Sequence, residues 1–279
     1  MKEILEKAKQ EGYAVAAYNI NNLEITRYIL EACQESNSPI ILEVSEGTVK
    51  YMGGYNVASA MVKALVKDLN ITMPVALHLD HGLSVSACIK AIDAGFDSVM
   101  IDASHESIEN NIKYTKEVVE YAHSKGVTVE AEIGIVGGQE DSVNGGTKHA
   151  DPDEALRLVK ETNVDFLAPA LGSVHGLYKG TPHIDFVTTK KISEMTNIPL
   201  VLHGGTGIPD DMLLEGINSG ICKVNIKTEL QIVWAEAVRK FLQKNGAVYD
   251  SRAIISSGEN AIKEAVKHKN ELLGSANKG

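Results

Sequence analysis

His81, His175 and His203 lie far apart in the chain, yet each closes an apolar run, in PVALHLDHG, FLAPALGSVHG and PLVLHGGTG. Residues that end separate buried strands can meet at one end of a sheet or barrel, so the pattern points to one metal ion held by three imidazoles. Three protein ligands leave a fourth position for water or substrate, which is the donor set of a catalytic zinc site and not of a closed structural one. Asp80 directly precedes His81 and is the candidate acid/base, with oxygens in reach of a metal-bound substrate. Asp102 and Glu132 end two further runs and could form a second metal position or a hydrogen-bonded outer shell. Glu140, in a glycine-rich stretch, is a candidate movable acid or base.

Something must bring these residues together, and the rest of the chain says what. Eight short apolar segments recur: AVAAYNI, PIILEVS, PVALHLD, SVMIDAS, VTVEAEI, FLAPALG, PLVLHGG and CKVNIKT. Longer stretches of helical period lie between them, for example Ile108 to His123 and Asp153 to Val159. Strands that alternate with helices imply parallel pairing through helical crossovers, and continuous apolar runs fit strands buried on both faces. The expected fold is therefore α/β, a (β/α)8 TIM barrel forming one domain over residues 1–279, with an additional C-terminal helix from Arg252 onward. Asp151-Pro152 and Ile208-Pro209 open helices, and Gly95, Gly126 and Gly220 close them. Two places break the rhythm: Tyr51 to Tyr55 after strand two, and the polar, glycine-rich Gly134 to Ala150 after strand five, which reads as a lid.

In such a barrel the active site lies where the strands end. The ends are Asn19; Ser45 with Glu46; Asp80 with His81; Asp102 with Ser104; Glu132; Ser173 with His175; His203 with Gly204 and Gly205; and Asn225 with Thr228. Turn chemistry alone explains any one of them. It does not explain three histidines. His105, His123, His149, His183 and His268 read as satisfied polar groups, whereas His78 shares strand parity with Asp80 and either orients it or packs in a barrel layer. HGGTGIP leads into a helix after strand seven, and glycines there let amides approach a phosphate. Gly176, Lys179, Asn225 and Thr228 would complete that cradle.

A net charge of -10 argues against binding nucleic acid or an anionic membrane, though not against a small phosphorylated ligand held locally. The first fifteen residues carry scattered charges and no continuous apolar stretch, so they read as a short amphipathic helix and not as a signal or a membrane span. Cys33, Cys88 and Cys222 are odd in number and widely spaced. They read as buried thiols of a cytoplasmic protein.

Taken together, HLDHG, the AEIG and GGQED segments, LGSVHGLYKG, LHGGTGIP and KVNIKTE resemble the class II, zinc-dependent fructose/tagatose bisphosphate aldolases, in the family's order and over almost the whole chain. The resemblance implies a catalytic zinc on His81, His175 and His203, Asp80 as proton donor and acceptor, and Asp102 with Glu132 at a second divalent position. It implies that Gly176, Lys179, Gly204, Gly205, Thr206, Asn225, Ile226, Lys227 and Thr228 hold dihydroxyacetone phosphate, with a monovalent cation nearby. Ser45 matches a residue near the aldehyde half, Glu140 the lid acid, and Asn19 a polar contact to substrate. Arg252 matches an arginine that reaches the second phosphate from a neighbouring subunit, so a homodimer or homotetramer is expected. The activity implied is cleavage of fructose 1,6-bisphosphate in glycolysis.

Lys227 departs from the pattern, since fructose-type relatives tend to carry Asp or Asn there. Tagatose 1,6-bisphosphate and a deoxy-keto-gluconate phosphate are therefore alternative substrates. A Schiff-base aldolase working through Lys227, a metal-dependent hydrolase and a non-catalytic barrel subunit are the remaining rivals. The hydrolase fits poorly, because His78 and His81 are separated by Asp80 and do not form a close pair.

Overall fold

In the computed structural model the described residues are 1–279 except 141, 142, 146 and 179, with the side chains of 139, 140 and 143–145 also left undescribed. Eight parallel strands close on themselves: Val15–Asn19, Ile40–Ser45, Val75–Gly82, Ser98–Ile101, Thr128–Ile133, Phe166–Pro169, Leu200–Leu202 and Ile221–Ile226. We number them one to eight. They coincide with the eight apolar segments, and strand eight pairs back onto strand one, so no edge is left open.

Both faces of these strands are buried, which is why the sequence runs are continuous and not alternating. Outward side chains such as Leu42, Val44, Leu79, Val129 and Val224 pack beneath the surrounding helices in one large apolar cluster. Inward side chains form tiers. At the lowest, Val15, Ile41, Ala76, Phe166 and Val201 meet Leu5 and Ala8 of the helix Lys2–Glu11, which seals the barrel floor. Above it the inward face carries Glu43 and His78, two residues beyond Ile41 and Ala76, together with Glu130 of strand five and Lys223 of strand eight, all fully buried. Two further still it carries Ser45, Asp80, Glu132 and Asn225, and the register of strands two and three pairs Glu43 with His78 and Ser45 with Asp80. An apolar floor thus supports a charged middle tier, and that tier supports the mouth.

Helix signals hold up in detail. Asp151 caps Pro152–Thr162 by accepting from two backbone amides, and Gly95, Gly126 and Gly220 follow helix ends with positive φ. The break after strand two is a joint: Ser45 caps the short helix Glu46–Met52, Gly53 and Gly54 turn the chain, and Tyr55–Asp68 follows. The C-terminal addition is two helices, Ser251–Ser256 and Glu259–Leu272. The latter lies along Leu23–Glu35, joined by Arg27–Glu259 at 3.2 Å and Lys263–Glu31 at 2.6 Å, and Tyr18 Oη donates to Asn270 Oδ1 at 3.1 Å. Cys33, Cys88 and Cys222 are buried and free.

The stretch after strand five differs from a plain loop. Gly137–Glu140 and Val143–Gly145 pair antiparallel, and the first of them pairs in parallel with Val174–His175. Its partners are backbone groups and not an apolar face, which is why no hydrophobic period marks it.

Candidate active site

His81, the last residue but one of strand three, has a left-handed conformation (φ 48°), an uncommon state for a residue with a side chain. The register between strands three and four slips at this point, between Leu79 and Gly82. His175 comes from the short strand Val174–His175, flanked by the hairpin at Gly138 and by Gly204, where an added Cβ would strike the carbonyls of His175 and Val174 respectively. His203 follows strand seven. The rings meet: centroids lie 4.7 Å apart for His81 and His203, 5.0 Å for His81 and His175, and 5.8 Å for His175 and His203.

Carboxylates fix which nitrogen His81 and His203 can offer. Asp102 Oδ2 lies 2.8 Å from His81 Nδ1, and Asp102 Oδ1 accepts from Ser104 Oγ at 2.7 Å, so Nε2 of His81 is left to face the centre. Glu130 Oε1 lies 3.0 Å from His203 Nε2, leaving Nδ1. That Nδ1 is 3.2 Å from Glu132 Oε2 but without hydrogen-bond alignment, and both atoms are buried without a hydrogen-bond partner, as is Nδ1 of His175. Buried polar atoms ordinarily find partners. Three imidazoles whose free nitrogens converge, each braced by a carboxylate or wedged backbone, fit a divalent metal of the zinc, cobalt or iron kind. His81, Asp102 and Glu132 make a second, overlapping donor set.

Asp80 lies beside this centre with both oxygens engaged: Asn19 Nδ2 donates to Oδ2 at 3.0 Å and Asn225 Nδ2 to Oδ1 at 3.3 Å. Burial alone would raise its pKa, but the charges of His81, His203 and Lys223 outweigh that and hold it below the usual carboxylate range. For His175 burial dominates and the pKa falls to about 2, which keeps the ring neutral as a ligand must be. For His81 burial is outweighed by Asp80 and by the bond to Asp102, and the pKa rises to about 9. Metal uptake there would release a proton.

Asn19, Asp80, His81, His175, Gly176, Gly204, Thr206, Asn225, Lys227 and Thr228 line one pocket. Gly205 is packed against Val224 and donates its amide to Asn225 O at 3.1 Å. Ile226 turns its side chain into the outer core, so only its backbone is available to a ligand. Ser45 caps the helix Glu46–Met52 and is not among the residues lining this pocket. Arg252 is exposed, pairs with Asp250 at 2.9 Å and is not among the residues lining the pocket. Lys179 and the side chain of Glu140 lie outside the described residues.

A family model described as fructose-bisphosphate aldolase class-II matches residues 1–278. The chain belongs to the class II fructose-bisphosphate aldolase family. It is 56% identical to a fructose-bisphosphate aldolase of Geobacillus stearothermophilus, across 100% of this chain and 97% of that one. Against a protein of the same name from Staphylococcus aureus strain Mu50 the identity is 56%, across 100% and 98%. The crystal structure of the YdjI aldolase from Escherichia coli K12 superposes with a TM-score of 0.85 at 32% identity, covering 99% of this chain and 97% of that chain. Class II aldolases are aldehyde-lyases, and no helix among the described residues is long and apolar enough to cross a membrane.

Within this class II aldolase, reading strand ends alone misses the tier beneath them. Glu130 touches His203, and Lys223 touches Glu130, yet neither ends a strand. Period two was the available signal: Glu130 precedes Glu132 by two residues and Lys223 precedes Asn225 by two, so each shares the inward face. His78 belongs to this tier, 3.6 Å from Glu130 Oε2; burial first, then Lys223, lower its pKa to about 3, so it packs as a neutral ring.

Proposed function

We propose that this chain reversibly cleaves fructose 1,6-bisphosphate to dihydroxyacetone phosphate and glyceraldehyde 3-phosphate, using zinc held by His81, His175 and His203. One observation carries the reading: three ring centroids within 5.8 Å of each other beside an aspartate gripped by two amides. When bound, a divalent cation there polarises the ketose carbonyl and spreads the negative charge that carbon–carbon cleavage leaves. Asp80 takes the proton of the C4 hydroxyl as the C3–C4 bond breaks, and returns it in the condensation direction. Asn19 and Asn225 keep the accepting oxygens aimed.

Glu140, on the hairpin that pairs with the His175 strand, serves the second proton transfer. Closure of that hairpin excludes water that would quench the cleaved carbon. Gly176, Lys179, Gly204 to Thr206 and Asn225 to Thr228 cradle the dihydroxyacetone phosphate end with a monovalent cation, at the end of strands seven and eight where barrels of this type bind phosphate. Ser45 serves the aldehyde half. Arg252 of a second copy meets the other phosphate, which its exposure here supports, so the working form is a homodimer or homotetramer. His81, Asp102 and Glu132 hold a second divalent ion. Residues 1–279 act as one barrel domain in the cytoplasm.

Steady-state assay on fructose and tagatose 1,6-bisphosphates, before and after chelation, tests this. Activity should vanish with a strong chelator, return with zinc and favour the fructose isomer. Faster turnover of tagatose bisphosphate would reassign the substrate. Borohydride trapping of substrate on Lys227 would replace the metal mechanism with a Schiff base.

A further inference from the structure

We infer that Lys223 is a positioning residue for the metal centre, acting through Glu130 to hold His203 in the one tautomer that can ligate. The inference rests on the three-histidine metal reading above. Lys223 Nζ donates to Glu130 Oε2 at 2.8 Å, while the other oxygen of the same carboxylate lies 3.0 Å from His203 Nε2. Glu130 therefore faces an ammonium with one oxygen and an imidazole N–H with the other. Glu43 Oε1 is 2.7 Å from the same Nζ but is not aligned for a hydrogen bond. None of Glu43, Glu130, Lys223 and His203 is more than 1% exposed.

The geometry makes Lys223 more than a filler of charge. A carboxylate sealed from water needs a partner, and removing Lys223 leaves Glu130 without the contact that aims it at His203. A carboxylate that turns away no longer offers an acceptor to His203 Nε2. The imidazole is then free to carry its proton on Nδ1, toward Glu132 Oε2 at 3.2 Å, and that nitrogen no longer has a lone pair for a metal. Lys223 also sits two residues below Asn225, which grips Asp80, so one strand sets both the ligand and the base. A merely structural ion pair would affect stability and leave metal affinity alone.

The test measures zinc affinity by competition with a chromophoric chelator, and the visible bands of the cobalt(II)-loaded protein, for wild type, Lys223→Met, Glu130→Gln and Glu43→Gln. Lys223→Met should bind zinc about 10- to 100-fold more weakly, the range set by loss of an outer partner of a ligand, and shift the cobalt bands. Glu43→Gln should leave both unchanged. A folded Lys223→Met chain with wild-type zinc affinity and an identical cobalt spectrum overturns the inference. If Lys223→Met does not fold, Glu130→Gln decides, since it keeps a hydrogen-bond acceptor but no charge: weaker zinc binding supports the proposal, and unchanged binding overturns it. A wild-type chain that takes up neither metal defeats the metal reading itself, whereas wild type and variant binding equally defeats only this one.

Discussion

Asn225 reaches from strand eight to Asp80 at the end of strand three, with Nδ2 donating to Oδ1 at 3.3 Å. Asn19 completes the grip on Oδ2 at 3.0 Å. An amide N–H on each oxygen favours the ionised carboxylate and fixes its rotation, which is what a base needs before substrate arrives. Asp80→Ala should retain bound zinc and lose turnover by about 10²- to 10⁴-fold, the usual contribution of a positioned proton-transfer group. Metal analysis beside steady-state kinetics checks this. Near-normal kcat in the variant would take the role away from Asp80.

The two amides can be weighed against each other. Asn225→Ala and Asn19→Ala each leave Asp80 one donor, so each should lower kcat less than Asp80→Ala does, and the double variant should approach it. Because both amides act through one carboxylate, their effects will not add. Kinetics of the two singles and the double give the answer; strictly additive losses in kcat would mean that the asparagines do not act through Asp80.

Gly138 stands at φ 95° with a Cβ position that would meet the carbonyl of its strand partner His175. Gly138→Ala would therefore force apart the pairing that seats this ligand, and the backbone state itself costs a non-glycine residue about 1–3 kcal/mol. Weaker zinc binding and lower turnover are expected together. Gly126 serves as the control, since it also has positive φ but open space around it. A Gly138→Ala protein with unaltered metal affinity would uncouple the hairpin from the site.

Much of this was legible before any coordinates, and the failures have physical causes. Strands buried on both faces advertise themselves as apolar runs, and the polar residue that stops each run marks the mouth, so His81, His203, Asp80 and Asn225 could be read directly. His175 could be read only because a histidine ends FLAPALGSVHG; its short strand exists through backbone pairing with Gly137 and Gly138, which no side-chain period reveals. Glu43, Glu130 and Lys223 hid inside runs scanned for their ends. Lys2–Glu11 was recognisable as amphipathic, but a helical period says which face is apolar and not what that face will meet.

Glu43 offers a pH test of the middle tier. Burial raises its pKa to about 8 against Lys223, which pulls the other way. Between the ordinary glutamate value and pH 8, the folded chain keeps a proton that the unfolded chain releases, so stability should fall as pH rises through that window. Glu43→Gln lacks this proton. Its stability relative to wild type should increase by more than about 1 kcal/mol between pH 5 and pH 8. Denaturant unfolding of both metal-free chains at each pH measures the difference, and a difference that stays constant would place a charged Glu43 in the folded barrel at neutral pH.

The barrel floor makes a separate claim. Leu5 is fully buried against Val15, Ile41, Phe166 and Val201, at the opposite end of the strands from the histidines. Leu5→Ala should cost about 2–5 kcal/mol, because lost burial and a residual cavity add in a close-packed interior. The tier of Glu43, His78, Glu130 and Lys223 lies between this floor and the mouth. Zinc affinity and KM of the folded variant should therefore match wild type at a temperature well below its lowered Tm. Thermal unfolding alongside kinetics at low temperature distinguishes the cases: a large change in KM or zinc affinity in a fully folded Leu5→Ala protein would mean that packing at the floor reaches the mouth through the charged tier.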